Sequence, residues 1–145
     1  MTVKKLTTDL YVRHYDLDPD ATTLTDVGWI DMKLYSTVLM SFFRNIGTSA
    51  VVFNIVANTA SDGSGDEVIV KTQAQAAGAP DAVGDQIFLE VSQEEIASKA
   101  TDDGYAYRYI SANISFATGT DEATVTYIGK VLHNQSGATA DIIST

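Results

Sequence analysis

The chain has no cysteine. That excludes disulfide staples, thiolate metal sites and a thiol nucleophile together. Basic residues are scarce: nine Lys and Arg stand against 19 Asp and Glu, for a formal net charge of −10. Such a field repels phosphate backbones and argues against nucleic acid as a partner. Arg44, Lys71, Arg108 and Lys130 are dispersed along the chain and form no basic stripe. The same acidity favours solubility where many copies stand side by side. Long apolar runs are missing too. Nothing approaches the roughly 18 uncharged residues of a spanning helix, and the longest run, in "STVLMSFF", is strand-length. The start, "MTVKKLTTDLYV", has two lysines with no apolar stretch behind them, which makes a poor signal peptide. Synthesis and folding in a cytoplasm is the expectation. Histidine is limited to His14 and His133, neither of which belongs to an HExxH or a serine-nucleophile motif.

The 145 residues suggest one domain, large enough to bury roughly 70% of its unfolded surface without staples. The dominant hydrophobic period is two, the signature of strands. "GWIDMKLYSTVLMSFF" is rich in β-branched and aromatic residues, and a weak spot at Asp31 to Lys33 divides it. "RNIGTSA" reads as a hairpin turn around Asn45 and Gly47. "VVFNIVAN" follows, then the turn "SDGSGD", then "EVIVKTQA". Residues 75–84, with Pro80 and two glycines, read as a loop, and "QIFLEV" as a short strand. "SQEEIASKA" is the one convincing helix, opened by the Ser92…Glu95 capping box. The tyrosine-rich "GYAYRYISANISF" and then "EATVTYIGKV" complete the strands, and "LHNQSGATADIIST" is a polar tail. This pattern predicts an all-β fold: an antiparallel β-sandwich, jelly-roll-like, with a single short helix. Val51, Phe53, Ile55, Val68, Val70, Leu89, Ile110, Ile114, Val125 and Tyr127 are the expected core. Residues 1–26, without a sustained period, read as an N-terminal arm reaching beyond the sandwich of residues 27–145.

No candidate catalytic or metal site survives its simpler reading. "DLDPD" places Asp16, Asp18 and Asp20 at alternate positions, as a hard cation might want. An acidic proline turn accounts for them, since no glycine or closing glutamate completes a loop. Asp62, Ser64, Asp66 and Glu67 fit a hairpin tip in which Gly63 and Gly65 permit positive φ. His14 beside Asp16 could make a dyad in principle, and a surface histidine is the plainer account. Glu94 and Glu95 are adjacent on a helix and point apart. The expectation is a protein that is not an enzyme and uses no metal and no cofactor.

The tyrosines are harder to dismiss. In "GYAYRYISANISF", Tyr105, Tyr107 and Tyr109 fall on one side of the alternation, while Ile110, Ala112, Ile114 and Phe116 fall on the other. If the second set faces the core, the tyrosines face outward. They either pack under a loop or helix, or form an intersubunit face, where an apolar ring with a polar tip is favoured. "LMSFF" raises the same question, because Leu39 and Phe43 oppose Val38, Met40 and Phe42 and make both faces of one strand apolar. Leu10, Tyr11, Tyr15, Trp29, Tyr105, Tyr107 and Tyr109 are the expected interface residues.

The order "WIDMKLYSTVLMSFFRNIG", "GDQIFLEVSQEEI", "YRYISANISFATGTDEATVTYIG", "ATADII" resembles small virion proteins of tailed bacteriophages, several of which are head decoration, or cement, proteins. The resemblance runs from about Trp29 to Ile142. It implies a non-enzymatic protein that binds the major capsid protein on the outer surface of the virion and braces it. It also implies a homo-oligomer, with a trimer favoured, while the charge and the short apolar runs point to no nucleic-acid and no membrane partner. A neck, tail or baseplate component is the near alternative. A carbohydrate-binding sandwich that stacks sugars on Trp29 and the tyrosines is the distant one.

Overall fold

Apolar alternation closes this chain into two sheets. A computed structural model describes residues 10–16, 23–25, 27–47, 49–75 and 86–132. The strands are β1 (Leu10–Asp16), β2 (Thr23–Leu24), β3 (Ile30–Asp31), β4 (Tyr35–Ile46), β5 (Val51–Asn58), β6 (Glu67–Gln75), β7 (Gln86–Ser92), β8 (Tyr109–Phe116) and β9 (Glu122–Val131), with helix α1 (Gln93–Asp103) between β7 and β8. One sheet has the order β1-β9-β4-β7. The other has the order β2-β8-β5-β6, with β3 also on β8. All the pairings are antiparallel. The chain leaves one sheet for the other at almost every connection, and its first strands close against its last, β1 on β9 and β2 on β8. That order is the jelly roll, a way for an antiparallel chain to stack two sheets and protect most of its edges.

The core lies between the sheets. From β4 come Val38, Met40 and Phe42, from β5 Val51, Phe53 and Ile55, from β8 Ile110, Ala112, Ile114 and Phe116, and from β9 Ala123, Val125 and Tyr127. Phe42 meets Phe53 and Phe116 across the gap, at ring separations of 5.6 and 6.1 Å. Each such ring contributes about 1.5–3 kcal/mol by burial alone. Of the expected core residues, Val68, Val70 and Leu89 are only partly buried, because β6 and β7 are edge strands.

Helix α1 starts where the capping box predicts. The Ser92 hydroxyl accepts from the Glu95 N–H, and the Glu95 carboxylate accepts from the Ser92 N–H at 2.9 Å. It runs three residues past Ala100 and stops at Gly104, whose φ of 79° is the left-handed cap that glycine takes most easily. Ile96 is its one buried residue, so the helix is a cover over the β6–β7 side of the sandwich.

Three expectations are corrected. Residues 1–26 are not simply an arm: β1 pairs with β9 from Leu10↔Lys130 to Asp16↔Thr124, and β2 pairs with β8. Sequence periodicity failed there because β1 is an edge strand whose outward residues, Val12 and His14, mix apolar and polar character. "RNIGTSA" is not a hairpin turn, since β4 and β5 lie in different sheets and the turn carries the chain across the core. The strand containing the tyrosines begins at Tyr109, not Tyr105. Asp18 and Asp20, the loop at Pro80, His133 and the polar tail lie outside the described residues.

Candidate interaction surfaces

The expected interface residues fall into three places. Tyr11 and Tyr15 point inward from β1. Tyr11 is buried against Tyr35, with ring centroids 5.3 Å apart, and Tyr15 packs on Tyr127 at 5.0 Å. These four rings close the β1 side of the sandwich. Burial raises the Tyr15 and Tyr127 phenols above their ordinary range, so both stay neutral donors and acceptors. The Tyr127 hydroxyl accepts the Ala112 N–H from the opposite sheet at 2.8 Å, and Ser111 receives the Gly28 N–H at 3.1 Å. A β-carbon at Gly28 would collide with the Tyr15 phenol, which would have to shift to admit it. Leu10, half-buried, heads β1.

Tyr105, Tyr107 and Tyr109 do not form one outward row. Tyr107 N–H bonds to the Tyr105 carbonyl at 3.1 Å, a three-residue turn that breaks the alternation. The turn directs the Tyr107 ring onto the core, while its hydroxyl donates to Asp103 at 3.2 Å. Tyr105 is left exposed, its ring 6.0 Å from that of Tyr107. Tyr109 is half-buried under the Arg108 guanidinium, 5.1 Å from the ring centroid. Arg108 makes a two-pronged ion pair with Asp31, at 2.8 and 2.5 Å. That hydrogen bonding holds the Asp31 carboxyl below its ordinary range.

Trp29 is half-buried over the β5–β6 hairpin tip at Gly63. The tip is organised by Asn58, a buried residue missed by sequence reading. Its side chain donates to the Gly63 and Gly65 carbonyls and accepts from the Ala60 and Gly65 N–H groups. Asp62 is occupied with Ser64. The hairpin reading of "SDGSGD" therefore holds.

A polar cluster crosses the opposite end. Asp121, in the β8–β9 turn, accepts from Arg44 at 2.8 Å, from the Ser49 N–H and hydroxyl at 3.2 and 2.5 Å, and from Thr118 at 3.1 Å. Arg44 is 0% exposed and Asp121 2%. Gly47, with φ of 106°, wraps the Asp121 carboxylate closely. The carboxylate beside Ser49 is neutralised by the Arg44 guanidinium, and among the described residues no histidine stands next to the Ser49 hydroxyl as a relay would need. His14 Nδ1 lies 2.9 Å from the Thr126 hydroxyl, its partner across the β1–β9 register. Among the described residues no group of three or more His, Asp or Glu side chains could hold a metal, and no helix is long and apolar enough to cross a membrane.

Apart from Tyr105, the exposed apolar side chains lie elsewhere than expected. On the outer face of the β1-β9-β4-β7 sheet, Val12, Ile128, Leu39 and Glu90 stand abreast, then His14, Thr126, Ser41 and Phe88, then Thr124, Phe43 and Gln86. Val12 is 52% exposed, Phe43 36% and Phe88 56%. The other sheet shows Val52 and Ile69 on its outer side. The two-sided apolarity of "LMSFF" pointed to Phe43. Phe88 was legible from its alternation with Ile87 and Leu89, both directed toward the core.

No protein-family model and no curated protein sequence matches the chain. Among solved structures it is similar to a chain of Bacillus endospore appendages, described as disulfide-linked pili, at 16% identity over 85% of this chain and 88% of that one, with a TM-score of 0.41. It is similar to the Yersinia pseudotuberculosis-derived mitogen at 7% identity, over 94% of this chain and 96% of that one, TM-score 0.43. It is also similar to VP2 of an infectious bursal disease virus subviral particle at 14% identity, over 88% of this chain and 35% of that one, TM-score 0.43. At these scores the likenesses are loose ones of strand arrangement.

Proposed function

We propose that the chain is a non-enzymatic structural protein that decorates an assembled bacteriophage capsid and braces it through contacts with the major capsid protein. The observation that carries this reading is the two-sided exposure of apolar side chains. Val12, Phe43 and Phe88 stand on one sheet and Val52 and Ile69 on the other, so the sandwich offers more than one protein-facing surface at once. A rigid jelly roll with neighbours on both faces suits a layer of many copies. The polar clusters support the same reading. Arg44 with Asp121, Arg108 with Asp31, and Asn58 in its hairpin tip are each engaged in holding turns and strands together. The carbohydrate-binding alternative is left with Tyr105 as its exposed ring, because Trp29 and Tyr109 are half-buried and Tyr107 packs on the core.

Quantitative mass spectrometry of purified particles, followed by cryo-electron microscopy, tests the proposal. The expected result is a copy number comparable with that of the capsid protein and density on the outer shell. A handful of copies per particle assigns the chain to the neck, tail or baseplate. Absence from the particle overturns the reading.

A further inference from the structure

We infer that the outer face of the β1-β9-β4-β7 sheet is a self-association surface that pairs two copies of this chain. The inference does not depend on which particle, if any, the copies belong to. Its basis is the charge and shape of that face. In a chain of net charge −10, two copies repel one another over most approaches. This face is different. Its four register rows, from Leu10–Lys130–Thr37–Ser92 to Asp16–Thr124–Phe43–Gln86, hold one lysine, Lys130, and two carboxylate residues, Glu90 and, at one corner, Asp16. The middle of the face is Leu39, Ser41, Thr126 and Ile128, with Val12, Phe43 and Phe88 around them. Depletion of charge at the centre, with aromatic residues beside it, is the composition of an interface core.

The charges that remain are self-complementary. A two-fold axis laid along β4 stacks β4 on its counterpart and places β9 of each copy over β7 of the other. Lys130 then faces Glu90 of the second copy from one register row away, about 7 Å along the strand, within reach of a lysine side chain. The same operation sets Leu39 and Phe43 against their own counterparts and Phe88 over the Thr126–Ile128 stretch. The Lys130–Glu90 and Phe88 contacts occur twice, and those of Leu39 and Phe43 lie on the axis, as an isologous interface requires. A closed trimer needs two different complementary patches, and this face supplies one patch that complements itself.

The available area sets the strength. In that arrangement β9, β4 and β7 of each copy overlap; three strands spaced about 4.8 Å apart and some 20 Å long present roughly 300 Å² in projection. That is less than the roughly 800 Å² per partner of a standard stable interface, so pairing belongs in the micromolar to millimolar range.

Sedimentation equilibrium of the full chain from about 10 μM to about 1 mM tests this, in the range where such an interface dissociates. A monomer–dimer equilibrium is expected. Phe88→Asp buries a carboxylate in the pair twice over and should weaken association about 100-fold or more. Ile69→Asp, on the opposite sheet, should leave it unchanged. Glu90→Lys alone should weaken pairing, and Glu90→Lys combined with Lys130→Glu should restore it. Far-UV circular dichroism checks that each variant is folded. Should Phe88→Asp misfold, the charge exchange between Glu90 and Lys130, both exposed, decides alone. A monomer at every concentration gives the face to a different protein and overturns the inference. So does an oligomer, dimer or trimer, that is indifferent to both Phe88→Asp and the charge exchange.

Discussion

Removing the Asp121 carboxylate should be among the most damaging single changes in this protein. Asp121→Ala leaves the Arg44 guanidinium charged at 0% exposure with no carboxylate. Its Nε and Nη2 already lack a hydrogen-bond partner, and the Ser49 carbonyl at 2.7 Å is all that remains on Nη1. Breaking a buried pair from one side costs about 3–5 kcal/mol, because the surviving charge is uncompensated. The Ser49 N–H, now orphaned, adds to this. A loss of about 4 kcal/mol corresponds to roughly 8–16 °C in Tm for a domain of this size. Arg44→Met should cost less, since Asp121 keeps three donors from Ser49 and Thr118. The double variant Arg44→Met, Asp121→Ala removes both charges and should recover most of the loss of Asp121→Ala, as apolar replacement of a buried pair often does. Urea denaturation followed by circular dichroism and by Trp29 emission gives all three values. Refutation takes either of two forms: Asp121→Ala within about 1 kcal/mol of the parent, or a double variant no more stable than Asp121→Ala. Either would mean that water reaches Arg44.

Phe53→Ala, at a fully buried site between Phe42 and β8, should cost about 3–5 kcal/mol in the same assay; a cost below about 1 kcal/mol would place the core elsewhere. Tyr127→Phe removes the acceptor of the Ala112 N–H and should cost about 1–3 kcal/mol, with no loss expected only if water can replace the hydroxyl. Tyr107→Ala should lower the Tm of the isolated chain, since the ring packs on its own core; an unchanged Tm would return the side chain to an intersubunit role. The carboxyls of Asp31 and Glu95 are both held below the ordinary range, Asp31 by its hydrogen bonds to Arg108 and Glu95 by those to Lys71. A carboxyl with a depressed folded-state pKa stabilises above its unfolded value and loses that contribution as pH falls through the folded one. Stability should therefore hold from neutral pH down to about pH 5 and decline below about pH 4, more shallowly in Asp31→Asn; parallel profiles would show that the Arg108 pair contributes nothing.

The strands that face two environments of clear contrast were legible. β5 and β9 are bounded in the structure where "VVFNIVAN" and "EATVTYIGKV" begin and end, because each has a core side of aliphatic residues and flanking turn residues that break the period. Helix α1 was legible through its capping box, a local signal that owes nothing to tertiary context. What escaped is what depends on the other sheet. β1 has a Tyr-Val-Arg-His-Tyr alternation that reads as noise until β9 is beside it, and the transfer of the chain between sheets at residues 47–50 cannot be told from a hairpin by composition. Asn58 and Asp121 were invisible for the same reason: an asparagine ending a strand and an aspartate in a turn look like solvent-facing punctuation, and only the closed loop shows that each is a buried hub.

The tyrosines show how a correct question can take a wrong answer. Apolar rings on a nominally wet face do demand a cover. For Tyr107 the cover is this chain's own core, reached by the turn at Tyr105 to Tyr107 that resets the alternation. For Tyr11 and Tyr15 it is Tyr35 and Tyr127. Period-two reasoning assumes an unbroken strand, and a single three-residue turn exchanges inside for outside for everything before it. The same reasoning applied to β4 and β7, which have no such turn over Leu39–Phe43 and Gln86–Ser92, places Phe43 and Phe88 outward, and there they remain. Among the described residues the demand for a cover is met for Tyr11, Tyr15 and Tyr107 and is unmet for Tyr105 and the two phenylalanines. An intermolecular contact is therefore to be sought at the outer face of the four-stranded sheet, where neighbouring apolar side chains remain in water after the fold has closed.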